Sequence, residues 1–324
     1  MIKRIINLIA AVIAVSLLIP LTSCAKQAAS DKPVVIGTVF PQFDFARQIG
    51  GDDIECEMLL RPGADSHSYT GDDPSDIYSI MNSDIFIYVG GETDSAWVDS
   101  IKNKIKSEGK SSPLFISLCD ICDTVEENDL GIIEQEDASD EELPEPEYDE
   151  HVWTSPKNAI KISRAICEAL CKIDQSHSEN YIKRCDEYIN DLIALDEKLS
   201  EITRGSTNKT LVFADRFPFR YMANEYGLKC YAAFNGCASQ SEPSPTTIVK
   251  LCEIIESNDI HSVIYIETSH SGVPDLISGA TGCEKLLLHS CHTVTQRELD
   301  EGETYLSIMN RNANTLRKAL NDGN

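Results

Sequence analysis

Basic side chains are scarce in this chain: 28 Lys and Arg stand against 53 Asp and Glu, a formal net charge of −25 over 324 residues. So acidic a surface repels phosphate backbones, which excludes nucleic acid as a partner and suits an extracellular protein that handles cations. No glycine-rich phosphate loop occurs, so this chain is not itself an ATPase. No HExxH pair or comparable catalytic motif is present. The CxxC of Cys119-Asp-Ile-Cys122 has no second copy, so a four-thiolate zinc site has little support.

What is present begins with an export signal. Lys3 and Arg4 precede residues 5–21, which are apolar except for Asn7 and Ser16, and the stretch closes on Leu21-Thr-Ser-Cys24. That ending resembles a bacterial lipobox, in which Cys24 becomes the lipidated first residue of the mature chain. A transmembrane anchor is the alternative, but 17 apolar residues only just reach spanning length, and Pro20 and the lipobox favour cleavage. The expected organisation is a signal peptide at 1–23 and a tether at 24–33, which place the rest on the outer face of a membrane.

Acid is concentrated in one place. Between Asp120 and Glu150 there are fifteen Asp or Glu and no Lys or Arg. Self-repulsion there implies a solvated loop, consistent with Pro144 and Pro146; the functional alternative is a low-affinity cation collector leading to His151. Eleven cysteines remain beside Cys24, and their pairing cannot be deduced from sequence. Cys167 and Cys171 share a helical face and read as small core residues.

Strand and helix signals alternate. Residues 34–40, 54–60, 85–89 and 114–118 read as strands separated by helices, with Pro74 and Pro156 at first helical positions. A long helix is expected over 177–204, its apolar positions being Ile182, Ile189, Leu192, Ile193, Leu195 and Leu199. A second alternating set follows in 205–324. The fold class is therefore α/β: two parallel-sheet lobes, 34–176 and 205–324, joined by one long connecting helix, with a ligand in the crevice between them.

Only seven histidines are present. His67, in Arg61-Pro-Gly-Ala-Asp-Ser-His67-Ser-Tyr69, and His151, in Tyr148-Asp-Glu-His151-Val-Trp-Thr-Ser-Pro156, stand at polar turns beside carboxylates, where a neutral imidazole can offer a nitrogen to a metal. The pair in His289-Ser-Cys-His292 emerges from the apolar run 286–288, as though from the end of a buried strand. Three such places in one chain suggest a single metal centre assembled between lobes.

These motifs, with Ser241-Glu-Pro-Ser-Pro245 and Ile264-Tyr-Ile-Glu267, resemble the zinc- and manganese-binding lipoproteins of bacterial ABC metal importers, the cluster A-I metal solute-binding proteins, over nearly all of the mature chain. The resemblance implies His67 and His151 as ligands. It puts His289 where the family usually has an Asp ligand, and Arg216 where it has a His or Glu. A guanidinium cannot bind a cation, so Asp215 is the nearest replacement, unless it only pairs with Arg216; Glu267, His292 or water are the other choices for the fourth place. His292 reads as an outlying or surface residue, and His177, His261 and His270 as ordinary surface or core histidines.

A shell of His67, His151, His289 and one carboxylate or water suits Zn2+ better than Mn2+, which prefers more oxygen. The implied activity is capture and delivery without chemistry on the metal. Its partners would be a membrane permease and a cytoplasmic ATPase, the binding protein itself being monomeric. Competing readings are a zinc hydrolase, with Glu267 as base, and a surface adhesin.

Overall fold

Runs of Val, Ile and Phe dictate the centre of the molecule. In the computed structural model, which describes residues 32–127, 131–133, 148–237, 242–269 and 272–321, Val34–Gly37 (β1) and Ile85–Tyr88 (β3) are buried almost throughout, as strands covered on both faces must be. They pair in parallel. Glu55–Met58 (β2) lies outside β1 and Leu114–Ser117 (β4) outside β3, in the order β2-β1-β3-β4. The second sheet repeats the plan with Thr210–Phe217 (β5), Lys229–Asn235 (β6), Ser262–Tyr265 (β7) and Glu284–Leu287 (β8), ordered β6-β5-β7-β8 and again all parallel. Each sheet reverses direction of winding between two central strands, and beyond the carboxyl ends of such strands α/β folds bind their ligands.

The helix Ser178–Gly205 spans both lobes. Its 28 residues reach about 42 Å, and Tyr181, Cys185, Tyr188, Leu192, Leu195, Leu199 and Ile202 form one buried stripe at alternating spacings of four and three. That stripe packs on Phe40–Gly50, Pro156–Ile173 and Tyr305–Asn321. Two apolar positions expected on it, Ile182 and Ile193, are instead exposed, 49% and 41%, because they lie off the stripe. The terminal helix is joined to the first lobe by a buried carboxylate. Asp44 accepts the Tyr305 backbone N–H at 2.7 Å and pairs with Arg47 at 2.6 Å, while the Phe45 and Tyr305 rings meet edge to face at 4.9 Å.

The acidic segment is not free along all of its described length. Residues 131–133 lie along the outer edge of β6, with Ala232 N–H donating to the Gly131 carbonyl and Ile133 N–H to the Ala232 carbonyl. Gly131 has φ +84°, and a Cβ there would fall 2.1 Å from the Cys230 carbonyl, so only glycine permits this approach. Apolar Ile132 is buried and Ile133 partly buried at that edge, which favours docking of this stretch. The signal segment, Cys24, the tether as far as residue 31, residues 134–147 and His270 lie outside the described residues. Among the described residues, the eleven cysteines are all free thiols, and no helix is long and apolar enough to cross a membrane.

Candidate metal centre

Each histidine of interest is placed by a short turn at the loop end of a sheet. His67 lies in the 3-10 turn Ser66–Ser68, downstream of β2, where Asp65 Oδ1 accepts the His67 backbone N–H at 3.1 Å. His151 opens a second such turn, Val152–Thr154. Asp149 Oδ1 accepts its backbone N–H at 2.8 Å and stands 3.3 Å from its Nδ1. A carboxylate there favours the proton on Nδ1 and leaves Nε2 as a donor to a cation. Gly236 makes room for this ring: a Cβ would come within 3.2 Å of it and 2.9 Å of the Phe217 carbonyl.

The third imidazole is His292. After β8, Asn312 clamps the backbone of His289, accepting its N–H at 2.9 Å and donating to its carbonyl at 2.7 Å. The His289 Nδ1 accepts the Cys291 N–H at 3.0 Å. Cys291 adopts φ +61°, so the chain reverses and carries His292 back to the first lobe, its Nε2 2.6 Å from Ser66 Oγ. Trp153 holds the turn in place by donating its Nε1–H to the Ser290 carbonyl at 2.9 Å.

Ring centroids are 5.7 Å apart for His67 and His151, 5.2 Å for His67 and His292, and 5.6 Å for His151 and His292. One nitrogen from each lies within 4.8 Å of the others. Around zinc, with Zn–N of about 2.0–2.1 Å, tetrahedral donors stand roughly 3.4 Å apart, so small inward shifts would close the triangle. The three rings line a cavity of ≈ 20 Å³, to which the second lobe also contributes Arg216, Thr268 and Ser290. That is space for a water or an ion, and for little else.

Protonation suits donors. Burial, and then the charge of His151, lowers His67 to about 4. Burial, followed by His67, His151 and Arg216, drives His292 well below the usual imidazole range. His151 moves the other way: burial pulls it down, but the hydrogen bond and charge of Asp149, with Glu150 and Glu127, more than offset that. Two of the three rings are therefore neutral at neutral pH.

Three residues expected at the centre are not brought to it. His289 faces away, held by Asn312, with its Nδ1 3.6 Å from Glu267; the positive φ at Cys291, which sequence spacing does not reveal, exchanges its place with His292. Asp215 accepts the Arg216 backbone N–H at 2.8 Å and belongs to neither group of converging donors among the described residues. The expected ion pair is also different, since the Arg216 guanidinium lines the cavity and reaches Asp65 at 3.3 Å. Glu267 accepts from both the backbone N–H and the hydroxyl of Ser290, at 2.8 and 2.5 Å, and so braces the turn. His177 and His261 sit at the surface beside Asp174 and Asp259. A second donor group, His67, Glu150 and Cys237, was not anticipated, because nothing in the sequence around Cys237 marks it.

Two parallel-sheet lobes whose loop ends bring three imidazoles to one ion-sized cavity define a two-lobed α/β binding protein. Residues 35–319 match the ZnuA family, described as zinc-uptake complex component A, periplasmic, and the chain belongs to that family. It is 28% identical over 308 residues to the zinc-binding lipoprotein AdcA of Streptococcus pneumoniae, covering 92% of this chain but only 58% of that longer protein. It is also 28% identical to the high-affinity zinc uptake system protein ZnuA of Bacillus subtilis, over 92% of this chain and 91% of the relative. Among solved structures, the Zn(II)-bound ZnuA-like domain of S. pneumoniae AdcA superposes with a TM-score of 0.72 at 26% identity, covering 89% of this chain and 99% of that one. The metal-dependent lipoprotein YcdH of B. subtilis gives 0.72 at 27% identity, covering 89% and 100%.

Proposed function

We propose that this protein captures Zn2+ outside the cytoplasm and delivers it to the membrane permease of an ABC importer, whose ATPase is a separate subunit. The observation that carries the reading is the convergence of His67, His151 and His292, from both lobes, on a cavity of ionic size. Three imidazoles, with no carboxylate in their own group of converging donors among the described residues, match zinc and disfavour manganese. Water fills the fourth place in this reading. Relatives named for zinc binding and zinc uptake support the same cargo, and those named lipoproteins support anchoring through Cys24.

Capture without chemistry is favoured over hydrolysis by the state of Glu267, the acid expected to serve as base. Its oxygens are engaged by Ser290, and it braces the turn instead of facing the cavity. Because the helix Ser178–Gly205 packs on elements of both lobes, exchange of the ion depends on shifts of the ligand turns more than on hinge closure. Native mass spectrometry with elemental analysis of the purified protein tests the proposal. One zinc per monomer at limiting metal is expected, with no hydrolysis of ester or peptide substrates; retention of manganese in preference to zinc would contradict it.

A further inference from the structure

The second donor group shares one residue with the first and differs from it in chemistry. His67, Glu150 and Cys237 offer a nitrogen, an oxygen and a sulfur within 4.8 Å of one another. Their placement is built. The Thr93 backbone N–H donates to Glu150 Oε1 at 2.8 Å, and Thr93 Oγ1 lies 3.4 Å from His67 Nδ1, so one edge of the shared ring faces this side. Glu150 lies against Gly91, where a Cβ would come 2.1 Å from its Oε1. Cys237 follows Gly236 at the end of β6, and the Glu150 backbone N–H points at its sulfur.

The group also lies on the acidic side of the cavity. Glu127 Oε1 is 3.5 Å from the Cys237 backbone nitrogen, and Glu150 itself closes the acidic segment. Glu150 and His151 are consecutive, so an ion held by Glu150 is one residue from the imidazole triangle. His67 is common to both.

We propose that His67, Glu150 and Cys237 form a second position for a divalent transition metal, from which the ion turns about His67 into the His67, His151 and His292 position. It rests on the zinc-capture reading. Burial and the carboxylates of Glu127, Asp149 and Glu150 keep the Cys237 thiol protonated without metal. Coordination therefore forms a metal–sulfur bond as the S–H bond breaks, and the proton leaves to solvent. Nothing is oxidised or reduced. A thiolate beside a carboxylate and an imidazole admits soft and borderline ions such as Zn2+, Co2+ and Cd2+ and rejects Ca2+ and Mg2+.

The test is Co2+ titration of the full chain under reducing conditions, followed by absorbance. Cobalt bound through sulfur shows a near-ultraviolet thiolate-to-metal charge-transfer band that nitrogen and oxygen donors do not give. In His292→Ala, where the inner position has lost a ligand, a bound ion is expected to display that band at the first equivalent. In His292→Ala/Cys237→Ser the band is expected to disappear. A His292→Ala protein that binds cobalt without the band, keeps the band after Cys237→Ser, or binds no cobalt would overturn the second position. If the parent protein binds neither Co2+ nor Zn2+, the capture reading itself falls, so the two failures are distinguishable.

Discussion

Asp149 is fully buried and stands beside the His151 Nδ1, so it orients the ring. Asp149→Asn keeps the shape but weakens the acceptor, so it is expected to lower zinc affinity by about 10–100-fold with the fold retained. Competition with a chromophoric chelator measures this, and parent-like affinity would show that His151 needs no orienting carboxylate. The pH dependence is similarly specific. His67 and His292 are already neutral well below pH 6.5, whereas His151 has its pKa raised. Affinity should be complete above the raised His151 value and fall as pH drops through it, approaching about tenfold per pH unit for one competing proton. A threefold steeper slope, the behaviour of three ordinary imidazoles, would mean that burial does not hold His67 and His292 neutral. At this scale the sequence was legible where a turn motif is local. Asp65 and Asp149 each precede their histidine by two residues and accept its backbone N–H, so polar spacing alone directed attention to His67 and His151. Sequence register ranks His289 above His292, whereas the structure brings His292 to the other two rings, because that choice rests on one left-handed residue and on Asn312, 23 residues beyond His289.

Among the elements, the turn after β8 is positioned by groups from elsewhere in the chain: Glu267 from beyond β7, Trp153 from the His151 turn and Asn312 from the terminal helix. Trp153→Phe preserves most of the aromatic volume and deletes only the hydrogen bond to Ser290. Stability should fall by about 1 kcal/mol in urea unfolding, and zinc affinity by about tenfold as His292 loses its register. Loss of stability with unchanged affinity would mean that Glu267 and Asn312 suffice. Strands and helices themselves were readable, since buried β-branched runs and Pro-led helices are local signals; Pro156 with Ser155 as cap shows both. The stripe of the long helix was read less well. Exposed Ile182 and Ile193 are apolar, whereas Tyr181, Cys185 and Tyr188, which occupy the stripe, are mixed in character.

For the whole molecule, charge and cavity are separate devices. The cavity is lined by three rings from two lobes, while the acidic segment adds negative charge whose field weakens with salt. Deleting residues 134–145 removes seven carboxylates and none of the three imidazoles. It is expected to leave the tight site's affinity intact, lower total zinc bound at excess metal, and reduce the salt dependence of loading. A large loss of affinity would place one of those carboxylates on the ion.

The central claim, that one zinc ion is held by rings of both lobes with His292 as the contribution of the second, is tested most directly by titrating His292→Ala and His289→Ala side by side with the parent. His292→Ala should lose at least about an order of magnitude in zinc affinity, as His67→Ala and His151→Ala should, because each removes one of few donors. His289→Ala should stay much closer to the parent. The reverse order, with His289→Ala losing the metal and His292→Ala keeping it, would contradict the account.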